Sequence, residues 1–395
     1  MSGLRLVLVT RRYWPLVGES EMALANLAHG LLRQGVVPVV LTARFDPHWP
    51  SDVTHREVAV HRLPFPQRFA WGTMRYMIAL SRWLRRYRPD IDLVCVSRLS
   101  QEAHVAISAL AGSGVPVVLR AEADGAAESP RSSGAAGISH RVTRSCGAAH
   151  AVVAACGGVE RAVIEAGFHA ARVRLIPNGV APAPDRSATL QAAARAALSE
   201  ANCDLHVPGD APVALAVGPL EARSDFHVLI KAWTRVARLW PLARLWLIGD
   251  GTRRERLFKQ VHEAGLSGRV LMPGTFDDAR GLLQAADLLV LPAATAGEPL
   301  VLLEAMAVGV PVVASDSPGH RQLVEDGVTG RLVAPGSSSR FAQAILEIFQ
   351  DHHRAALMAV AATQRVRQER SLSMMVERHV ALFRELMAST ARSNP

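Results

Sequence analysis

One stretch narrows the fold more than any other: residues 299–315, PLVLLEAMAVGVPVVAS, set an apolar helix and an apolar strand end to end. Pro299 suits a first helical position, where a missing N–H costs nothing. Gly309 suits the left-handed residue just past a helix end. The spacing therefore predicts a helix over 299–308. The strand VPVVAS that follows has no polar face, and such strands lie in parallel sheets covered by helices on both sides. Glu304 is the only charge on the helix. Packed among Leu302, Leu303, Ala305 and Met306, an ionised carboxylate needs a partner or a ligand. It could also be a satisfied core carboxylate or point to water. A helix start that follows a glycine-containing loop offers free N–H groups and the positive end of a dipole, so a phosphate fits there.

The same alternation recurs along the chain. Apolar strand-length runs fall at 4–10, 36–43, 91–97, 116–122 and 173–180, separated by helical patterns. They recur at 211–218, 243–249, 269–274 and 287–292, with helices expected over 226–239, 252–264 and 279–286. The break between the two series is APAPDRS, 181–187, followed by a helical insert at about 189–200. The expected architecture is thus α/β, with two Rossmann-like doubly wound domains at 1–180 and 181–371. A final amphipathic helix lies at about 372–395. In open sheets of this kind ligands bind outside the strand carboxyl ends, which directs attention to the first loop of each domain.

Composition excludes several functions. At 395 residues, 49% hydrophobic and 20% charged, the chain is a globular protein long enough for two cores. Its net charge of +9 comes almost wholly from arginine, Lys231 and Lys259 being the only lysines. Cys95, Cys146, Cys156 and Cys203 show no metal spacing and read as reduced core residues; no metal site is expected. No signal peptide or apolar span is visible, so the chain reads as cytoplasmic. Residues 71–87, WGTMRYMIALSRWLRRY, form a basic amphipathic helix that could lie on the inner face of an anionic membrane, or could be an ordinary domain helix with a solvated arginine face. Neither stacking aromatics nor a lysine tract points to nucleic acid. GDG at 249–251 lacks the third glycine of a dinucleotide fingerprint, Arg254 standing there instead.

GEPLVLLEAMAVGVPVVASDSPG together with EDGVTGRLV resembles the donor segment of glycosyltransferase family 4, and MVERHVALFREL resembles that family's returning last helix. The resemblance covers nearly the whole chain. It implies a retaining transferase with two Rossmann-like domains facing across a cleft, the GT-B arrangement. It also implies a nucleotide-sugar donor, a glycan or lipid-linked acceptor and no cofactor. By this resemblance Glu304 holds the donor ribose. The nucleotide-sugar site draws on Gly18, Gly218, Gly249, Gly251, Glu298, Pro299, Leu300 and Val301. Acidic groups near the reacting sugar fall at Glu122 and Asp124, ahead of the loop AAESPRSSGAAG.

Several positions depart from the family pattern. Ala296 stands for the first glutamate of a paired motif and Glu19 for a second glycine. Pro219 and Ser224 stand for the arginine and lysine that meet the diphosphate. Arg223 is the nearest substitute cation, Arg11 and Arg12 are further candidates, and Glu298 could replace the carboxylate missing at 296. The departures leave two readings open: a transferase with relocated charges, or a non-catalytic scaffolding protein of a polysaccharide pathway.

Overall fold

The computed structural model describes residues 3–65, 69–122, 144, 146–295 and 297–393. It divides into two compact units, Met1–Gly179 with Leu372–Pro395, and Val180–Ser371. The first unit holds β1 (Arg5–Val9), β2 (Val37–Arg44), β3 (Asp52–His55), β4 (Val58–Pro64), β5 (Leu93–Ser97), β6 (Val117–Ala121), β7 (Ala151–Ala154) and β8 (Val173–Leu175). They form one sheet in the order β3-β4-β2-β1-β5-β6-β7-β8. Every pairing is parallel except that of β3 with β4. The chain starts at β1, works outward to one side, then returns to lay β5 on the other side of β1. The switch point therefore lies between the carboxyl ends of β1 and β5.

The second unit repeats the plan with β9 (Val213–Val217), β10 (Arg244–Ile248), β11 (Val270–Gly274), β12 (Leu288–Leu291), β13 (Val312–Ser315) and β14 (Arg331–Val333). Their order, β11-β10-β9-β12-β13-β14, puts the switch point between β9 and β12. All pairings are parallel. Strands β12 and β13 are buried along their whole length, as predominantly apolar runs require. The Phe226–Leu239 helix buries Phe226, Leu229, Ile230, Trp233 and Val236 at helical spacing against the sheet and the Ser338–Gln350 helix.

One expectation is corrected, and the β3–β4 hairpin has no signature in the sequence. Its turn residues Arg56 and Glu57 take left-handed φ values of 49° and 66° without any Asn-Gly or Asp-Gly signal. Cys95, Cys146 and Cys156 are buried, but Cys203 is exposed and so is no core residue; all four are free thiols.

The Leu372–Ser393 helix belongs to the first unit and packs on the Glu19–Arg33 helix. Gly30 is required at that crossing, because a Cβ there would sit 2.5 Å from Val376 Cγ2. His379 is completely enclosed, with Nδ1 donating to Met375 O at 2.8 Å. Burial, with Arg120's charge adding to it, pushes its pKa down from 6.5 to about 3. The unfolded chain therefore binds a proton that the folded chain refuses. The stabilisation is complete above 6.5 and is lost as pH falls from there toward 3, at about 1.4 kcal/mol per pH unit. Urea unfolding at about pH 7 and pH 5 should show wild type losing more stability on acidification than His379→Gln. Parallel losses would contradict this account of the helix contact.

Candidate functional site

In the second unit the switch point is framed by the loop after β9, residues 218–225, and the loop after β12, residues 292–299. Both loops are shaped by close backbone packing. A Cβ on Gly249 would meet Gly218 O at 1.9 Å, and one on Gly251 would meet Leu220 O at 2.7 Å. Gly218 N–H donates to Ile248 O at 3.0 Å and Leu220 N–H to Asp250 O at 2.9 Å, so the loop after β9 is zipped to the loop after β10. The glycines at 249 and 251 are thus fixed by the neighbouring loop's backbone. On the other side Gly319 plays the same part: its Cβ would lie 1.9 Å from Gly297 O, and its N–H donates to Thr295 O at 3.0 Å. Both walls of the switch point are held by glycine-dependent contacts.

The Leu300–Val308 helix starts between these walls, with Pro299 just ahead of its first residue rather than inside it. Gly309 closes it at φ 80°, the left-handed end anticipated from its position. Seven of its nine residues are buried; Val301 and Glu304 are the two that are partly exposed. They are three apart and share one strip of the helix surface. No acidic residue occupies the first turn, and Pro299 at the cap position makes no side-chain hydrogen bond. The N–H groups of Leu302 and Leu303 bond to Pro299 O, and those of Leu300 and Val301 precede them at the tip.

Glu298 is drawn elsewhere. It is buried, and Arg370 holds it at two points, Nη2 to Oε1 at 3.1 Å and Nε to Oε2 at 3.4 Å. Burial raises its pKa above the usual carboxylate range, with Arg370 pulling the other way. Arg370 in turn accepts at its carbonyl from Val180 N–H at 2.9 Å, so this pair braces the place where the chain enters and leaves the unit. Ser317, in the loop after β13, is buried, and its hydroxyl has no partner among the described residues.

The substituted positions have definite geometry. Ser224 is buried and its Oγ donates to Pro219 O at 2.5 Å, closing the loop on itself; Asp225 next to it is left-handed at φ 53°. Pro219 is exposed. Arg223 is exposed and its Nε reaches Glu221 Oε2 at 3.1 Å, a surface pair in the same loop. Ala296 and Asp124 lie outside the described residues, as does the loop 126–137.

At the first unit's switch point Arg11 Nε meets Glu102 Oε1 at 2.5 Å and Arg12 Nε meets Glu21 Oε1 at 2.8 Å. Glu21 folds back over Gly18, where a Cβ would stand 2.2 Å from its Oε2. Gly18 thus serves a local carboxylate. Arg98, at the end of β5, is a non-glycine residue at φ 86°, and its Nη2 donates to Ser20 Oγ at 3.1 Å. Such a conformation costs of order 1–3 kcal/mol and tends to persist at functional sites. Glu122 is buried at the end of β6, 3.6 Å from Arg120 Nη2.

Residues 18–179 match the profile described as Glycosyl transferase 4-like domain, and residues 202–365 match Glycosyl transferases group 1. The chain belongs to the GT-B glycosyltransferases, of the family 4 type. Within that family, the lipopolysaccharide core biosynthesis glycosyltransferase LpsE of Rhizobium meliloti (strain 1021) is 43% identical over 150 residues, which is 38% of this chain and 42% of LpsE. The chain spans about half the length of the curated relatives it matches, 42% to 54% for the first three. Among solved structures, sucrose-phosphate synthase from Thermosynechococcus elongatus superposes with TM-score 0.77 at 22% identity, over 98% of this chain and 100% of that one. Anabaena Alr3699/HepE in complex with UDP gives TM-score 0.73 at 21% identity, over 97% and 100%. At such identity these likenesses establish the fold.

Proposed function

We propose that this protein transfers a sugar, with retention, from a nucleotide-sugar donor to a glycan or lipid-linked acceptor, without a cofactor. The observation that carries the proposal is the Leu300–Val308 helix. It is buried on all sides except a strip bearing Glu304, and its uncapped positive end sits at the switch point of a parallel sheet. In this reading Glu304 accepts the ribose hydroxyls, the amides at Leu300 and Val301 face the diphosphate, and the loop 218–225 covers it. Relatives named as transferases and a neighbour solved with UDP support the donor class.

Transfer breaks a bond to a diphosphate, so negative charge grows on the leaving group while the sugar becomes cationic. Each preorganised group that meets such charge is worth about 3 kcal/mol, roughly a hundredfold in rate. Pro219 and Ser224 supply none. Ser224 is committed to Pro219 O, which leaves Arg223 and the helix start to carry the load. That same commitment favours the competing reading, a scaffolding protein that keeps the fold without the chemistry.

Incubating the protein with a panel of nucleotide-sugars and following released nucleoside diphosphate decides between them. Turnover on one donor is expected. Glu304→Ala should raise the donor KM by about tenfold or more, since hydrogen bonds to a charged acceptor are worth about 1.5–3 kcal/mol each. Silence across the panel favours the scaffold.

The reading also includes contact with an anionic lipid surface. On the Phe69–Tyr87 helix, Tyr76, Leu80 and Leu84 face the core. The outer strip carries Trp71, 70% exposed, with Met74 and Ile78 among Arg75, Arg82, Arg85 and Arg86, and the helix has no acidic residue. No helix among the described residues is long and apolar enough to cross a membrane. Surface binding gains about 1 kcal/mol per arginine near anionic lipid. Sedimentation with vesicles should show binding to phosphatidylglycerol-containing bilayers that fades with salt and with Arg75→Ala/Arg82→Ala/Arg85→Ala. Equal pelleting with neutral vesicles would defeat this part of the proposal.

A further inference from the structure

Two of the 44 basic residues in the chain are lysines, and both line one cavity. The cavity, about 580 Å³, lies in the second unit between two helices. The Phe226–Leu239 helix brings Lys231 to it, and the Arg254–Glu263 helix brings Arg256 and Lys259. Arg253, just ahead of the second helix, completes the set. Gln260 Nε2 donates to His227 O at 2.9 Å, which ties the two helices together along the cavity wall.

Adjacent arginines are matched. Arg254 reaches Asp250 and Met272 O, and Arg223 reaches Glu221. The cations of the cavity are not. Its two carboxylates are already engaged, Glu221 by Arg223 at 3.1 Å and Glu263 by Lys259 at 3.7 Å. Lys231, Arg253 and Arg256 have no side-chain hydrogen bond or ion pair among the described residues. Their placing sharpens the conflict. Arg253 occupies the cap position of the Arg254–Glu263 helix without a side-chain hydrogen bond, and Arg256 follows in the first turn, where Glu255 is the acidic residue. Cations at a helix start oppose its dipole. Three unmatched cations around one concavity, two of them at the positive end of a helix, form a charge arrangement that a bound anion relieves.

The lysines point to the kind of anion. A guanidinium presents a planar fork, whereas an ammonium is a compact charge with three donors that turn freely, so it can follow a tetrahedral phosphate from any side. A phosphate monoester carries about two negative charges at pH 7. A cavity of this volume also has room for the body of a small molecule. Leu257, the large apolar residue of the lining, is buried, so no exposed apolar side chain waits there for an acyl chain.

We propose that this cavity binds a small soluble molecule bearing a phosphate group, held by Lys231, Arg253 and Arg256 and joined by Lys259 from its exposed pair with Glu263. The lining takes Glu221 and Ala222 from the loop 218–225 but none of the side chains assigned to the nucleotide. The proposal does not rest on the transferase reading.

The lysines supply the test. Growing the full chain with isotope-labelled lysine gives two side-chain NMR signals without altering either residue, and Lys231→Arg and Lys259→Arg assign them. Added inorganic phosphate should move both signals along one saturating curve, and sodium chloride at matched ionic strength should not. Glycerol phosphate should act as phosphate does, and glycerol should do nothing. Arg253→Gln/Arg256→Gln should raise the phosphate midpoint by about tenfold or more. Should that variant not fold, the exposed change Lys259→Gln leaves the Lys231 signal to report and should also raise the midpoint. Movement equalled by chloride, movement of one lysine alone, or an unchanged midpoint in these variants overturns the proposal. A response to phosphatidylglycerol vesicles without one to phosphate overturns it as well. The readout needs no donor, so a protein silent on every nucleotide-sugar but saturable with phosphate overturns the transferase reading and upholds this site.

Discussion

A parallel sheet whose two faces are sealed by helices leaves its polar backbone and any ligand only one place to meet, the loops beyond the strand ends. Both units of this protein obey that constraint, and most of the rest follows from it. Strand β12 can be wholly apolar, and β13 apolar up to its terminal Ser315, because nothing approaches them from the side. The loops that follow must then be shaped without bulky side chains, which is why Gly249 and Gly251 press against the 218–220 backbone and Gly319 against Gly297. The helix from Leu300 can bury nearly all of its surface and still present Val301 and Glu304, since its start emerges where the strand order reverses.

The electrostatics of the second unit are economical. Its buried acid near the loop, Glu298, is consumed by Arg370, and its loop cation, Arg223, by Glu221 on the surface. Ser224 lies inside the loop. The helix start adds a partial positive charge at the switch point, weaker than a fixed guanidinium and readily screened by salt. The first unit is the opposite case. Arg11, Arg12, Arg98 and Arg120 crowd its strand ends, matched against Glu21, Glu102 and Glu122.

Much of the architecture could be read from the chain because apolar runs and punctuating residues agree there. Gly309 at φ 80° and the run VPVVAS fixed one helix and one strand together, and the Phe226–Leu239 helix matched its expected span residue for residue. The β3–β4 hairpin was hidden because Arg56 and Glu57 adopt a conformation their side chains do not advertise. The site was less legible. Glycines at 249 and 251 read alike whether a ligand or a neighbouring loop approaches them, and only coordinates show the loop backbone that presses on both. The Glu298–Arg370 and Arg120–Asn178 contacts join residues 72 and 58 apart in sequence, which no local pattern reports. The inward turn of Ser224 depends on a left-handed Asp225 that sequence gives no reason to expect.

The central claim is that the switch point of the second unit holds a nucleotide. Hydrogen–deuterium exchange of the full chain, with and without saturating UDP, GDP or ADP, tests it most directly. The account predicts slowed exchange at residues 299–304 and in the loop 218–225 with one of these nucleotides. No slowing with any of them, or slowing confined to other parts of the chain, would contradict it.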